Sequence, residues 1–309
     1  MHSPLRIAPE IAHALAEGRP VVALESTLIA HGLPWPENLE TARESEFAVR
    51  RAGSIPATVA VLGGEIQVGL SAAELELIAR AEKGSILKAG RRDLGIVTAR
   101  RLDAATTVSA TLWIAKTVGI GAMATGGLGG VHRGAAETFD ISMDLDELAR
   151  ADGVVVVCSG VKSILDIAAT LESMETRGIA IIGYRTSMFP AFTTPSSDLP
   201  IEWRADTPEE VAAMVRGHRD LKLSGAIVLA QEVSAEFGIA RGEMDAAIET
   251  ALIAAAKGGI SGKKITPFLL DAVRKATEGR SLIANRALIV ANAGLAGKIA
   301  AITYLGFDT

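Results

Sequence analysis

Lys162 ends the stretch Val154–Lys162, in which four valines and Cys158 pass through Ser159 and Gly160 toward a helical pattern. A lysine at the start of a helix is awkward, because the helix dipole repels a cation there. Two readings follow. One is a solvated surface amine. The other is an amine whose pKa is lowered by partial burial and the helix field, a nucleophile able to form a Schiff base with a sugar carbonyl. Glu25 ends the first β-branched run; it is either a solvated strand-end carboxylate or, if its surroundings raise its pKa, a general acid. Thr138–Glu147 brings Asp140, Asp144 and Asp146 close together. Oxygen ligands of this kind suit Mg²⁺ or Mn²⁺, and helix capping by Ser142 or Asp144 is the plain alternative. Asp146 and Glu147 are assigned to a solvated helix face. Lys88, Arg91 and Arg92 form a run suited to phosphate or carboxylate, or else simple surface charge.

Ala124–Gly134 carries five glycines in eleven residues. Glycines let a backbone approach a ligand and aim its N–H groups at an anion. The spacing matches neither a Walker A loop nor a dinucleotide fingerprint, so a plain flexible loop is the competing reading. His132 and Arg133 favour an anionic ligand.

The elements that must position these groups alternate. Strands are expected at Val21–Leu24, Thr58–Leu62, Ile120–Ala124, Val154–Cys158, Ile179–Gly183 and Ala226–Leu229. Helices are expected at Asn38–Arg51, Ala72–Lys83, Thr106–Val118, Ser163–Thr176 and Pro208–Leu221, then at Met244–Lys257, Pro267–Thr277 and Ser281–Tyr304. The alternation predicts crossover units, hence an α/β fold of three α/β/α layers. Leu62–Gly69 reads as a hairpin turning on Gly63 and Gly64, which makes the sheet mixed but largely parallel. Ser71 with Glu74, and Thr207 before Pro208, mark helix starts. No repeat or linker divides the 309 residues, which are read as one domain. In such sheets ligands sit beyond the carboxyl ends of the strands, where Glu25, Thr125 and Ser159–Lys162 fall.

Composition narrows the function class. The net charge of −5 gives no footprint for nucleic acid. The single cysteine, Cys158, cannot form an intrachain disulfide and is read as an inert core residue of a reducing compartment. With no leader pattern and no unbroken apolar span, no membrane is expected and a cytoplasmic location is.

Read together, several segments resemble one family. They are ALEST from Ala23, HGLP from His31, PATVAVL from Pro56, KAGRRDL from Lys88 and TTVSAT from Thr106. With them go ATGGLGGVHRGA from Ala124, TFDIS from Thr138, VVCSGVKSILD from Val156 and GYRTSMFPAF from Gly183. In this order they are similar to the pseudouridine-5′-phosphate glycosidase family, also called the indigoidine synthase A-like family, over nearly the whole chain. The resemblance implies reversible cleavage of the C–C glycosidic bond of pseudouridine 5′-phosphate to uracil and ribose 5-phosphate, with Mn²⁺ or a similar divalent metal, in a homotrimer. It places the Schiff-base lysine on Lys162, the proton donor on Glu25 and the metal ligand on Asp140. It places substrate contacts on Lys88, Val108, Ser142, Met143 and Asp144, and contact with the base on Asn285. Two features depart from the pattern: Met143 stands where a smaller residue is common, and Ala151–Gly153 is about one residue longer. Carbon is a poor leaving atom, so a two-carboxylate scheme does not serve. An iminium at C1′ supplies an electron sink, and the bond to uracil C5 then breaks as an acid protonates C5. Rival readings are a class I aldolase-like lyase on another sugar phosphate, and a silent sugar-phosphate-binding protein.

Overall fold

A computed structural model describes residues 4–82, 84–260 and 265–304. Its strands are β1 (Leu5–Ile7), β2 (Val21–Glu25), β3 (Ile55–Leu62), β4 (Glu65–Val68), β5 (Leu87–Ala89), β6 (Ala104–Thr106), β7 (Ala122–Ala124), β8 (Val131–His132), β9 (Val155–Cys158), β10 (Leu165–Asp166), β11 (Ala180–Tyr184), β12 (Trp203–Ala205) and β13 (Ile227–Gln231). Its helices are α1 (Pro9–Ala16), α2 (Glu37–Arg51), α3 (Ala72–Arg80), α4 (Leu94–Ala99), α5 (Val108–Val118), α6 (Ala135–Thr138), α7 (Met143–Leu148), α8 (Ile167–Thr176), α9 (Pro208–Asp220), α10 (Arg241–Lys257), α11 (Ile265–Ala276) and α12 (Arg280–Tyr304).

The main sheet runs β1-β4-β3-β2-β7-β9-β13-β11-β12, with β6 beside β3 and β5 beside β6. Among the described residues of this sheet, only the β3–β4 and β3–β6 pairs are antiparallel. The expected mixed, largely parallel sheet is therefore present. The hairpin turns where predicted, with Leu62 opposite Glu65 and Gly63 and Gly64 both at positive φ. Alternate strand residues face two apolar layers, as a doubly covered sheet requires. Val22, Leu24, Val155 and Val157 pack with α2, α9 and α12. Val21, Ala23, Val156 and Cys158 pack with α5, α7 and α10 on the other side. The Ser71–Glu74 capping box forms, and the Thr207 hydroxyl accepts from the Glu210 N–H at 3.2 Å. Cys158 is fully buried, and burial pushes its thiol up to about 12, as suits an inert core residue.

Two helix starts differ from expectation. The helix predicted from Thr106 begins at Val108, because Ala104–Thr106 pairs with β5 and β3. The helix predicted from Ser163 begins at Ile167, because Leu165 and Asp166 pair with His132 and Val131. Both segments met strand partners that helical periodicity does not reveal. Helix α12 is long and apolar enough to cross a bilayer by length and composition. Here Ala293, Ala296, Ile299 and Ala300 bury that apolar face against the sheet and α2, as in a core helix. At Gly297 the two helices come so close that a Cβ would lie 2.7 Å from that of Ala52.

Candidate active site

Strands β2, β7, β9 and β13 are adjacent and parallel, so their carboxyl ends bring Glu25, Thr125, Ser159 and Gln231 to one rim. Beyond Ala124 and Cys158 the two chains run on side by side. The Leu128 N–H donates to the Gly160 carbonyl at 2.9 Å, and the Lys162 N–H to the Leu128 carbonyl at 3.1 Å. Lys162 is half-buried and its Nζ donates to the Gly127 carbonyl at 2.6 Å. It thus lies in an irregular extension of the sheet, five residues before α8. The helix field expected to act on this amine is not applied at its position.

Glu25 is enclosed. Burial raises its pKa above the usual carboxylate value; Lys162, the Thr125 hydroxyl and Lys88 oppose that rise, and Asp144 adds to it. Thr125 donates a short hydrogen bond to the Glu25 carboxylate. The residues that follow Glu25 fasten it to β6: the Ser26 hydroxyl accepts from the Thr106 N–H at 2.9 Å, and Thr27 donates to the Thr106 carbonyl at 2.7 Å. The expected acid, amine and Lys88 therefore share one electrostatic neighbourhood. His132 joins them. Burial lowers its pKa, Asp140 opposes that, and Lys162 and Lys88 reinforce it.

Asp144 is buried, and each of its oxygens is already bonded to backbone. Oδ1 accepts from the Ser109 N–H and Oδ2 from the Gly129 N–H, both at 3.0 Å. It clamps the start of α5, where Val108 is buried, onto the glycine-rich loop. Ser142 caps α7 by accepting from the Asp144 N–H at 3.3 Å, and Met143 is half-buried beside it. Asn285 reaches the site from α12; its Oδ1 is buried and lacks a hydrogen-bond partner among the described residues. Next to Glu25 lies a small cavity of about 30 Å³ lined by Leu24, Leu28, Ala42, Thr125 and Ile289.

Three readings of the sequence change. Glu147, assigned to a solvated face, is 2% exposed and lies 3.2 Å from Arg91 Nη1. Of the Lys88–Arg92 run, Arg91 is therefore committed to α7, Arg92 points outward and Lys88 faces the site. Packing also requires at least two of the glycines read as room for a ligand. A Cβ at Gly129 would lie 2.3 Å from Ser142 Oγ, and one at Gly127 would lie 2.6 Å from the Phe192 ring. Arg133 lines a separate cavity with Ser163, Arg241 and Asp245. Two site residues were missed, Thr125 as a partner of Glu25 and the buried Asn292. For the second a signal existed: Asn285, Ile289 and Asn292 fall at helical spacing on one face of α12.

Among the described residues no group of three or more His, Cys, Asp or Glu could hold a metal. Asp140, half-buried beside His132, offers one carboxylate. A hard dication that keeps most of its waters accepts such a site.

The family model described as indigoidine synthase A like protein matches residues 10–302. The chain is 48% identical to a pseudouridine-5′-phosphate glycosidase of Hahella chejuensis, covering 98% of this chain and all of that one. It is 49% identical to one of Caldanaerobacter subterraneus, over 95% of each chain. Among solved structures, the prealnumycin C-glycosynthase AlnA in complex with ribulose 5-phosphate superposes with a TM-score of 0.90 at 37% identity, over 99% of both chains. An indigoidine synthase A-like protein of Thermotoga maritima gives 0.88 at 36%, over 98% of both.

Proposed function

The chain belongs to the indigoidine synthase A-like family, and from that membership we propose that it reversibly cleaves the C–C glycosidic bond of pseudouridine 5′-phosphate, giving uracil and ribose 5-phosphate. The observation that carries the reading is the half-buried Glu25, raised toward its protonated form by burial, within the electrostatic reach of the amine of Lys162. Such a pairing supplies an acid and a nucleophile together.

The neutral Lys162 nitrogen adds to C1′ of the ribose as the C1′–O4′ bond breaks, and its proton passes to O4′, opening the ring to a hydroxyl. Uracil C5 takes a proton from Glu25. The nitrogen lone pair then forms the C1′=N bond, and the electron pair of the C1′–C5 bond leaves with the base. Water adds to the imine, frees ribose 5-phosphate and restores the amine and the Glu25 proton. Thr125 holds the Glu25 carboxyl in place throughout. The base binds beside Glu25, and Asn285 Oδ1, unpartnered among the described residues, accepts from one of its N–H groups. Lys88 and the helix starts at Val108 and Ser142–Asp144 hold the phosphate, whose remote binding energy orients the sugar. Mn²⁺, held by Asp140 and waters, supplies Lewis acidity and charge neutralisation beside the phosphosugar. The reading includes a homotrimer, a single domain and a cytoplasmic location.

Incubation with pseudouridine 5′-phosphate, with and without Mn²⁺, should release uracil. Borohydride added during turnover should fix the sugar on Lys162, as seen by peptide mass mapping. An adduct on a different lysine would overturn the assignment. Cleavage of deoxyribose 5-phosphate without uracil release would instead favour the aldolase-like alternative.

A further inference from the structure

We propose that Asn292 is a positioning residue which fixes Glu25 and Lys162 relative to one another; the inference rests on the reactive roles just given to that pair. Asn292 is fully buried in the middle of α12, among Leu288, Ile289, Ala293, Leu295 and Ala296. On so apolar a face a leucine would fill the space without having to desolvate an amide, so the polar group needs a reason.

Its hydrogen bonds give one. Nδ2 donates to the Thr125 carbonyl at 2.8 Å and lies 3.4 Å from the Gly126 carbonyl and 3.2 Å from Ser159 Oγ. Oδ1 accepts from Gln231 Nε2 at 2.7 Å. One amide therefore grips the residues just beyond β7 and β9 and the last residue of β13. Two of those grips stand close to a reacting group. Thr125 donates to the Glu25 carboxylate. The Ser159 N–H bonds the Gly126 carbonyl at 2.9 Å, at the base of the turn that carries Lys162. Regular β7–β9 pairing ends at Ala124 and Val157, and beyond it the two chains stay joined by backbone bonds of shifted register, so the side-by-side arrangement of the strand ends is less strictly set by the ladder. A fully satisfied buried amide fixes such ends in one arrangement, whereas an apolar side chain would permit several.

The test separates position from stability. Asn292→Asp keeps the acceptor for Gln231 and loses the donor to Thr125; Asn292→Ala removes both. For uracil release we expect kcat to fall 10- to 100-fold in either variant, with KM within about threefold of wild type. Borohydride trapping on Lys162 should slow alongside it. A substrate-free readout is the ¹³C NMR titration of Glu25, whose midpoint should move in Asn292→Ala although its charged neighbours Lys162, Asp144 and Lys88 are not themselves substituted. A lower melting temperature with kcat within twofold of wild type and an unmoved Glu25 titration would overturn the proposal. If Asn292→Ala does not fold, Asn292→Asp and Gln231→Met decide by the same kcat criterion. A wild-type protein that releases no uracil, with Glu25 still displaced in the variants, would refute the substrate and leave the positioning role standing.

Discussion

Two half-buried glutamates in this molecule share a local design and differ in company. Glu25 at the end of β2 and Glu46 on α2 are both raised by burial, and each accepts a hydrogen bond from a threonine, Thr125 for one and Thr58 at 2.6 Å for the other. Around Glu46 stand Arg50, Arg43 and Glu10, on the outer flank of a helix. Around Glu25 stand Lys162, Lys88 and Asp144, at the rim where parallel strands end. Desolvation alone therefore does not mark a reactive carboxyl. What distinguishes Glu25 is an amine within its field and empty space beside it, and it is that difference the following substitutions probe.

Lys162→Ala should have the largest effect, lowering turnover by roughly 10³-fold or more while circular dichroism reports an intact fold. Near-normal rates would end the nucleophile assignment. Glu25→Gln should cost about 10²- to 10⁴-fold in kcat, the span of general acid catalysis. In the wild type the protonated carboxyl is the working form, so kcat should fall as pH rises through the raised pKa of Glu25; a flat profile in that range would argue for another acid. Asp140→Asn should weaken Mn²⁺ binding about 10-fold or more, measured by calorimetry on the unliganded protein. Unchanged affinity would remove Asp140 from the metal site.

Glu46→Gln should do least, leaving kcat within about twofold. Its effect belongs to stability. A carboxyl whose pKa is higher folded than unfolded stabilises the fold below its unfolded value, and that contribution is lost as pH rises through the folded one. At neutral pH Glu46 thus weighs against the fold. The glutamine variant should melt higher there, by about 1.4 kcal/mol for each unit of raised pKa, and should match wild type near pH 4. A drop in kcat comparable to that of Glu25→Gln would erase the contrast between the two sites.

The positions of Glu25 and Lys162 were legible because strand-end residues can be placed from β-branched runs alone. The surroundings were not. Lys162 lost its expected helix when Leu165 and Asp166 found an antiparallel partner in β8, a pairing with no local signature. Glu147 left the solvated face because Arg91 arrives from a segment distant in the chain. Gly129 and Gly127 of Ala124–Gly134 also make room for Ser142 and Phe192, neighbours that only the tertiary fold supplies. Pattern reading located the reactive groups and failed wherever long-range packing decided the role.

Helix α12 follows every other described element in the chain, yet Asn285 and Asn292 on it complete the rim. A nascent polypeptide emerging from the ribosome can pair β2, β7 and β9 well before that helix exists. The acid and the amine then stand together without the fastening that holds them, so competence arrives late, with the docking of one terminal helix.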